Sequence, residues 1–125
     1  MFGETFDVTA YVATVANDER PLAVDIIYAY DEDMMKELMK LSARDWFERK
    51  EQILSDNPGD DMLEVFSYEW TPGTTRTVNL PLRGGTEGGV MFVNYYYDGA
   101  FRHRLDLFTD VEIAFEHHEF AVTND

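Results

Sequence analysis

Three histidines, no cysteine and several knots of carboxylates are the groups in this chain of 125 residues that could do chemistry. His117 and His118 are consecutive, so on a strand they point to opposite faces and cannot easily hold one metal ion together. If Leu107 and Asp110 flank a short turn, His103 pairs near Ala114 and not with His117, so no histidine pair results. The run Asp31-Glu32-Asp33 has oxygens enough for a divalent cation or an acid–base pair. Consecutive helix positions diverge by about 100°, however, and the three suit the partial positive charge of a helix start better. Residues 56–61, Asp-Asn-Pro-Gly-Asp-Asp, have the composition of a calcium loop, but their glycine stands fourth rather than sixth and no glutamate falls at the twelfth position. Residues 84–89, Gly-Gly-Thr-Glu-Gly-Gly, resemble a phosphate loop in glycine content alone, since Glu87 would repel phosphate and no Lys-Ser/Thr pair follows. Ser42, Ser55 and Ser67 lie outside any nucleophile-elbow context. The residues therefore predict no catalytic, metal or cofactor site.

The run Tyr95-Tyr96-Tyr97 could offer a stacking platform, and alternation either buries Tyr96 with Phe92 or exposes it with Asn94. What positions these groups is a series of short alternating segments. Residues 5–16 read as a first strand, with Phe6, Val8, Ala10 and Val12 on one face and Asp7, Thr9 and Tyr11 on the other. Asn17 and Asp18 favour a turn, and Pro21 pushes Arg20 toward extended geometry, so a second strand is expected from about Leu22. Val24, Ile26, Tyr28 and Tyr30 share one of its faces; Asp25, Ile27 and Ala29 share the other.

Helical spacing follows at Met34 or Met35, Leu38 and Leu41, and Ser42 with Asp45 forms a capping-box pair, which predicts two short helices. Trp46, Phe47, Lys50, Ile53 and Leu54 make the stripe of the second. Residues 56–61 end it. Alternation returns over residues 62–70 and 75–82, separated by Thr71-Pro72-Gly73, and Pro81 predicts an edge strand because it cannot donate a ladder hydrogen bond. Residues 90–97 and 100–107 flank Asp98-Gly99, a strong two-residue hairpin signal, and residues 111–122 close the set.

The expectation is a mainly all-β fold: a two-sheet β-sandwich of about seven strands with a helical insertion near residues 31–55, between strands two and three, forming one domain over residues 1–125. Nine Phe, seven Tyr and two Trp favour such a pleated, half-buried arrangement. A formal charge of −15 argues against binding nucleic acid or anionic lipid, which need Lys and Arg, and permits basic protein partners. No apolar run approaches the roughly 20 residues needed to span a bilayer.

The order of elements resembles a known family. Asn17-Asp18-x-x-Pro21-Leu22-x-Val24 opening a strand, the insert with Leu38 and Trp46-Phe47, the Pro72-Gly73 turn and the late strand Val90-Met91-Phe92-Val93 are similar to the outer-membrane lipoprotein of type VI secretion systems, the TssJ type. The resemblance covers roughly residues 15–107, in pattern more than identity. It implies a two-sheet sandwich without catalysis or cofactor, lipid-anchored on the periplasmic side of the outer membrane. Its partner would be the periplasmic domain of a large inner-membrane protein of the TssM type. The family's docking loop maps onto Asn17, Asp18, Glu19 and Arg20. The start, Met1-Phe2-Gly3-Glu4-Thr5, has neither signal-peptide regions nor a cysteine to acylate, so a mature domain or a relative held differently is expected. Two alternatives stand beside this reading. One is an acidic mimic of nucleic acid that inhibits DNA-binding proteins; the other is a carbohydrate-binding sandwich stacking sugars on Tyr95, Tyr97, Trp46 or Trp70.

Overall fold

Alternation decides the first strand: β1 (Thr5–Val12) buries Phe6, Val8, Ala10 and Val12 and turns Thr5 and Tyr11 outward. The computed structural model describes residues 4–124; Met1 to Gly3, on which the reading of the chain start fell, and Asp125 lie outside the described residues. The second strand, β2 (Leu22–Ala29), begins at Leu22 and is apolar on both faces, as befits a strand covered on both sides. After it come α1 (Glu32–Met39) and α2 (Ala43–Asp56). Six strands complete the chain: β3 (Leu63–Trp70), β4 (Thr75–Pro81), β5 (Gly88–Val93), β6 (Arg102–Leu105), β7 (Val111–Phe115) and β8 (Phe120–Asn124).

Two four-stranded sheets result, ordered β4-β1-β7-β8 and β3-β2-β5-β6. Neighbours are antiparallel except β1 and β7, which run parallel with Val8 opposite Val111 and Val12 opposite Phe115. Pro81 lies on β4, at a sheet edge, where its missing N–H costs no ladder bond. The main core fills the space between the sheets, with Phe6, Val8, Val24, Ile26, Met91, Ile113 and Phe115 fully buried. A second core lies on the outer face of the β3-β2-β5-β6 sheet, where Ile27, Ala29, Val90 and Phe92 meet Met34, Met35, Leu38 and Trp46 of the helices.

Local sequence explains both helices. Asp31 caps α1 by accepting from Met34 N at 3.1 Å, and Glu32 and Asp33 add carboxylates to the positive end. Ser42 and Asp45 form the reciprocal capping box of α2, at 3.1 and 3.2 Å. Trp46, fully buried, stacks on Phe92 with ring centroids 5.6 Å apart and donates its indole N–H to Asp25 Oδ2 at 2.8 Å. Lys50, one turn further along, reaches the same oxygen at 3.0 Å. The Asp25 side chain is only 2% exposed, so a carboxylate in the middle of a central strand pins α2 to the sheet. Among the described residues no helix is long and apolar enough to cross a membrane.

Besides the first strand, which stops at Val12 rather than running to residue 16, the structure differs from expectation in three places. Residues 111–122 are not one strand but part of the hairpin β7–β8, which gives eight strands rather than about seven. His117 and His118 stand in its turn, not on opposite faces of a strand. The register placing His103 near Ala114 does not occur either, because β6 and β7 belong to different sheets. Thirdly, Asp98-Gly99 does not close a two-residue hairpin: β5 ends at Val93, β6 starts at Arg102, and Phe101, with φ of 44°, makes the return. Gly99 is needed instead for close approach, since a Cβ there would lie 2.8 Å from the Phe101 ring.

Candidate functional site

One end of the sandwich gathers the β1–β2 connection, the β5–β6 loop and the β7–β8 turn, and it contains all four residues expected to bind a partner. Asn17, Asp18 and Glu19 are all left-handed, with φ of 51°, 54° and 65°. Side chains with a Cβ resist that region, at a cost of order 1–3 kcal/mol for each residue, and Asn and Asp resist it least. Something must therefore hold the turn.

Asn17 does most of the holding. It is 3% exposed. Its Oδ1 accepts from Tyr96 N at 2.7 Å, its Nδ2 donates to Pro21 O at 3.2 Å, and its backbone N–H donates to His117 O at 2.8 Å. All three loops thus meet at one asparagine. The next residue repeats the link at the surface: Tyr97 donates its hydroxyl to Asp18 Oδ2 at 2.6 Å, and His117 Nε2 lies 2.5 Å from Asp18 Oδ1. Beneath them the buried Tyr95 donates toward Glu116 O and Glu119 O, at 3.2 and 2.7 Å, and so fixes the β7–β8 turn.

The bond from Tyr97 and then that from His117 hold the Asp18 carboxyl below its ordinary value of 3.8, and the same contact raises the Tyr97 phenol. A depressed carboxylate contributes order above its unfolded value and loses it as pH falls through the folded one. The turn is accordingly expected to keep its structure at pH 5 and to loosen only below about pH 3.8. Amide exchange at Asp18 and Tyr97, followed by NMR, checks this. Loosening well above that pH would show that Asp18 does not control the turn.

Outward from this framework stand Glu19, Arg20 and Tyr96. Tyr96 is 72% exposed, on the side that alternation allowed with Asn94, and the Arg20 guanidinium lies 4.0 Å from its ring centroid. Beside Tyr96 a cleft of about 530 Å³ runs between the start of α2 and the β5–β6 loop, with Ser42, Arg44, Tyr97 and Asp98 on its walls. Arg44 and Asp98 pair across it at 2.9 Å. The loop is braced from below by Ala43 N donating to Ala100 O and by Arg102 donating to Leu41 O, both at 2.7 Å.

The remaining candidates fall elsewhere. Trp46, Trp70 and Tyr95 are buried and cannot stack an external sugar, which corrects that part of the carbohydrate reading. His103 lies on β6 against Phe120, and burial lowers its pKa. Residues 56–61 end α2, and among the described residues no group of three or more His, Asp or Glu is placed to hold a metal ion. The glycine-rich loop lines a hollow of about 690 Å³ at the opposite end, where Arg83 and Arg104 are offset by Glu4, Glu87 and Asp106. The partnership of Tyr96 with Arg20 was not foreseen from the sequence; the run of three tyrosines was the available signal.

No family model matches the chain, and no curated protein matches it in sequence. Solved structures do. The chain is similar to the T6SS lipoprotein TssJ1 from Pseudomonas aeruginosa, at 15% identity and a TM-score of 0.77, over 99% of this chain and 98% of that one. It is similar to a chain of a Type VI membrane complex, at 13% identity and a TM-score of 0.76, over 98% and 99%. Lip from Serratia marcescens, a membrane bound component of the Type VI Secretion System, matches at 14% identity with a TM-score of 0.74, over 96% and 97%. The similarity over nearly the whole of both chains makes this fold that of the type VI lipoprotein structures.

Proposed function

We propose that this protein is a non-enzymatic structural component of a type VI secretion envelope complex, held on the periplasmic side of the outer membrane and docking the periplasmic domain of a TssM-type inner-membrane protein. The observation that carries the reading is the match to the lipoprotein TssJ1 over 99% of this chain and 98% of that one. The docking residues are Asn17, Asp18, Glu19 and Arg20. Loops at the end of a rigid sandwich suit binding because the scaffold fixes them without burying them. Here Asn17 sets the shape of the turn, while Asp18, Glu19 and Arg20 present charge at the surface.

Replacing Asp18 and Glu19 with Lys tests the assignment by isothermal titration against the TssM-type periplasmic domain of the same organism. Rim charges govern encounter and register, so the double substitution is expected to weaken docking at least about tenfold while β-sheet circular dichroism is kept. Glu19→Lys alone isolates the effect of charge, since Asp18 also anchors the turn. Unchanged affinity in both variants would remove these residues from the interface.

A further inference from the structure

Resting on that reading, we infer that the energetic centre of the docking end is Tyr96 with Arg20 stacked on its ring, and that the partner meets it with a basic loop whose cationic side chain enters the cleft between residues 42–44 and 94–99. Several observations converge on this. Tyr96 is 72% exposed, and its backbone N–H bond to Asn17 at 2.7 Å holds it in place at the surface. Its neighbours divide the work: Tyr95 turns into the core and Tyr97 braces Asp18. Tyr96 alone has no comparable inward role.

Rigid tyrosines are suited to this position. They bring much contact area with few torsions to freeze, and binding hot spots are enriched in Tyr and Arg for that reason. Arg20 covers part of the ring, so the pair forms one preassembled surface.

Charge selects the partner. Around Tyr96 the exposed carboxylates are Asp18, Glu19, Asp98, Glu116 and Glu119, set against the guanidiniums of Arg20 and Arg44. The Asp98 side chain is 91% exposed even while paired with Arg44, leaving it open to a second cation. A surface of this sign on a chain of net charge −15 steers basic surfaces in and keeps acidic ones away. Tyr96 and Tyr97 on the cleft wall add ring faces that favour a cation.

The test uses biolayer interferometry with the whole chain and the TssM-type periplasmic domain of the same organism. Tyr96→Ala is expected to weaken binding roughly 30-fold, mainly through faster dissociation, and Tyr96→Phe to leave it unchanged. Asp98→Lys is expected to slow association several-fold and to flatten its dependence on salt. Glu51→Lys, on the exposed face of α2, serves as a charge control and should do neither. Wild-type binding with Tyr96→Ala unaffected would overturn the anchor while leaving the docking loop in place. Faster association of Asp98→Lys would overturn the basic partner. No binding by the wild-type chain would overturn the secretion reading itself, and this inference with it.

Discussion

Lys50→Met is expected to lower the unfolding free energy by about 3 kcal/mol, the scale on which losing one partner of a buried ion pair destabilises a protein. Asp25 would remain in the sheet, nearly sealed from water, with only the indole N–H of Trp46 to satisfy it. Methionine replaces the aliphatic stem of lysine well, so the loss reports the charge rather than the packing. The double variant Asp25→Leu/Lys50→Met is expected to recover part of the loss, because well-packed apolar side chains commonly replace a buried pair without net cost. What remains is the Trp46 N–H left without an acceptor, at about 1–3 kcal/mol. Urea denaturation of the four proteins in the cycle measures this. A Lys50→Met loss under 1 kcal/mol would show that Asp25 finds water when lysine is gone, and that stacking of Trp46 on Phe92 is what fixes α2.

Asn17→Ala is expected to cost about 3 kcal/mol, for different reasons. It removes the acceptor of Tyr96 N and the donor to Pro21 O, and it places an alanine in the left-handed region. Asn17→Gly separates the two contributions: it relieves the backbone and still loses both side-chain bonds, so about 2 kcal/mol of the loss should persist. Thermal unfolding checks the order, with alanine melting lowest, glycine between and the wild-type chain highest. Glycine equal to wild type would mean that backbone geometry alone holds the turn. Since Asn17 also positions Tyr96, both variants should weaken partner binding more than their stability loss explains.

The parts of this fold that were legible in the sequence are those whose causes are local. The period-two patterns of β1 and β2, the Asp31 cap and the Ser42–Asp45 box each depend on residues within a few positions of one another, and each formed as expected. The misread parts depend on distant neighbours. Glu116-His117-His118-Glu119 contains no residue that commands a turn; it turns because Tyr95, some twenty positions earlier, binds two of its carbonyls. Asp98-Gly99 looked like a hairpin, but the chain needs room for the inward Tyr95 and for the Phe101 ring packed against it. Asp25 gave no sign of its importance, since a single acid on an otherwise apolar strand face reads as an interruption until Trp46 and Lys50 are brought over it. At the candidate site, Asn17 and Asp18 announced a turn, whereas the meeting of that turn with Tyr96 and His117 spans 79 to 100 positions and leaves no local trace.

The parallel pairing of β1 with β7 governs the order in which this chain can assemble. The strand made first sits inside its sheet, flanked by β4 and by a strand that begins about a hundred residues later. The β3-β2-β5-β6 sheet completes its strand pairing, and meets both helices, with residues no later than Leu105. Their half of the molecule can therefore collapse early, while β1 keeps one edge open until the final hairpin arrives. Closing so long a loop is slow, and an unfilled strand edge is the surface that invites pairing between chains. The last step of folding is thus the vulnerable one. A chain that stalls before Val111 would present the half-formed sheet as an edge open to pairing with other chains.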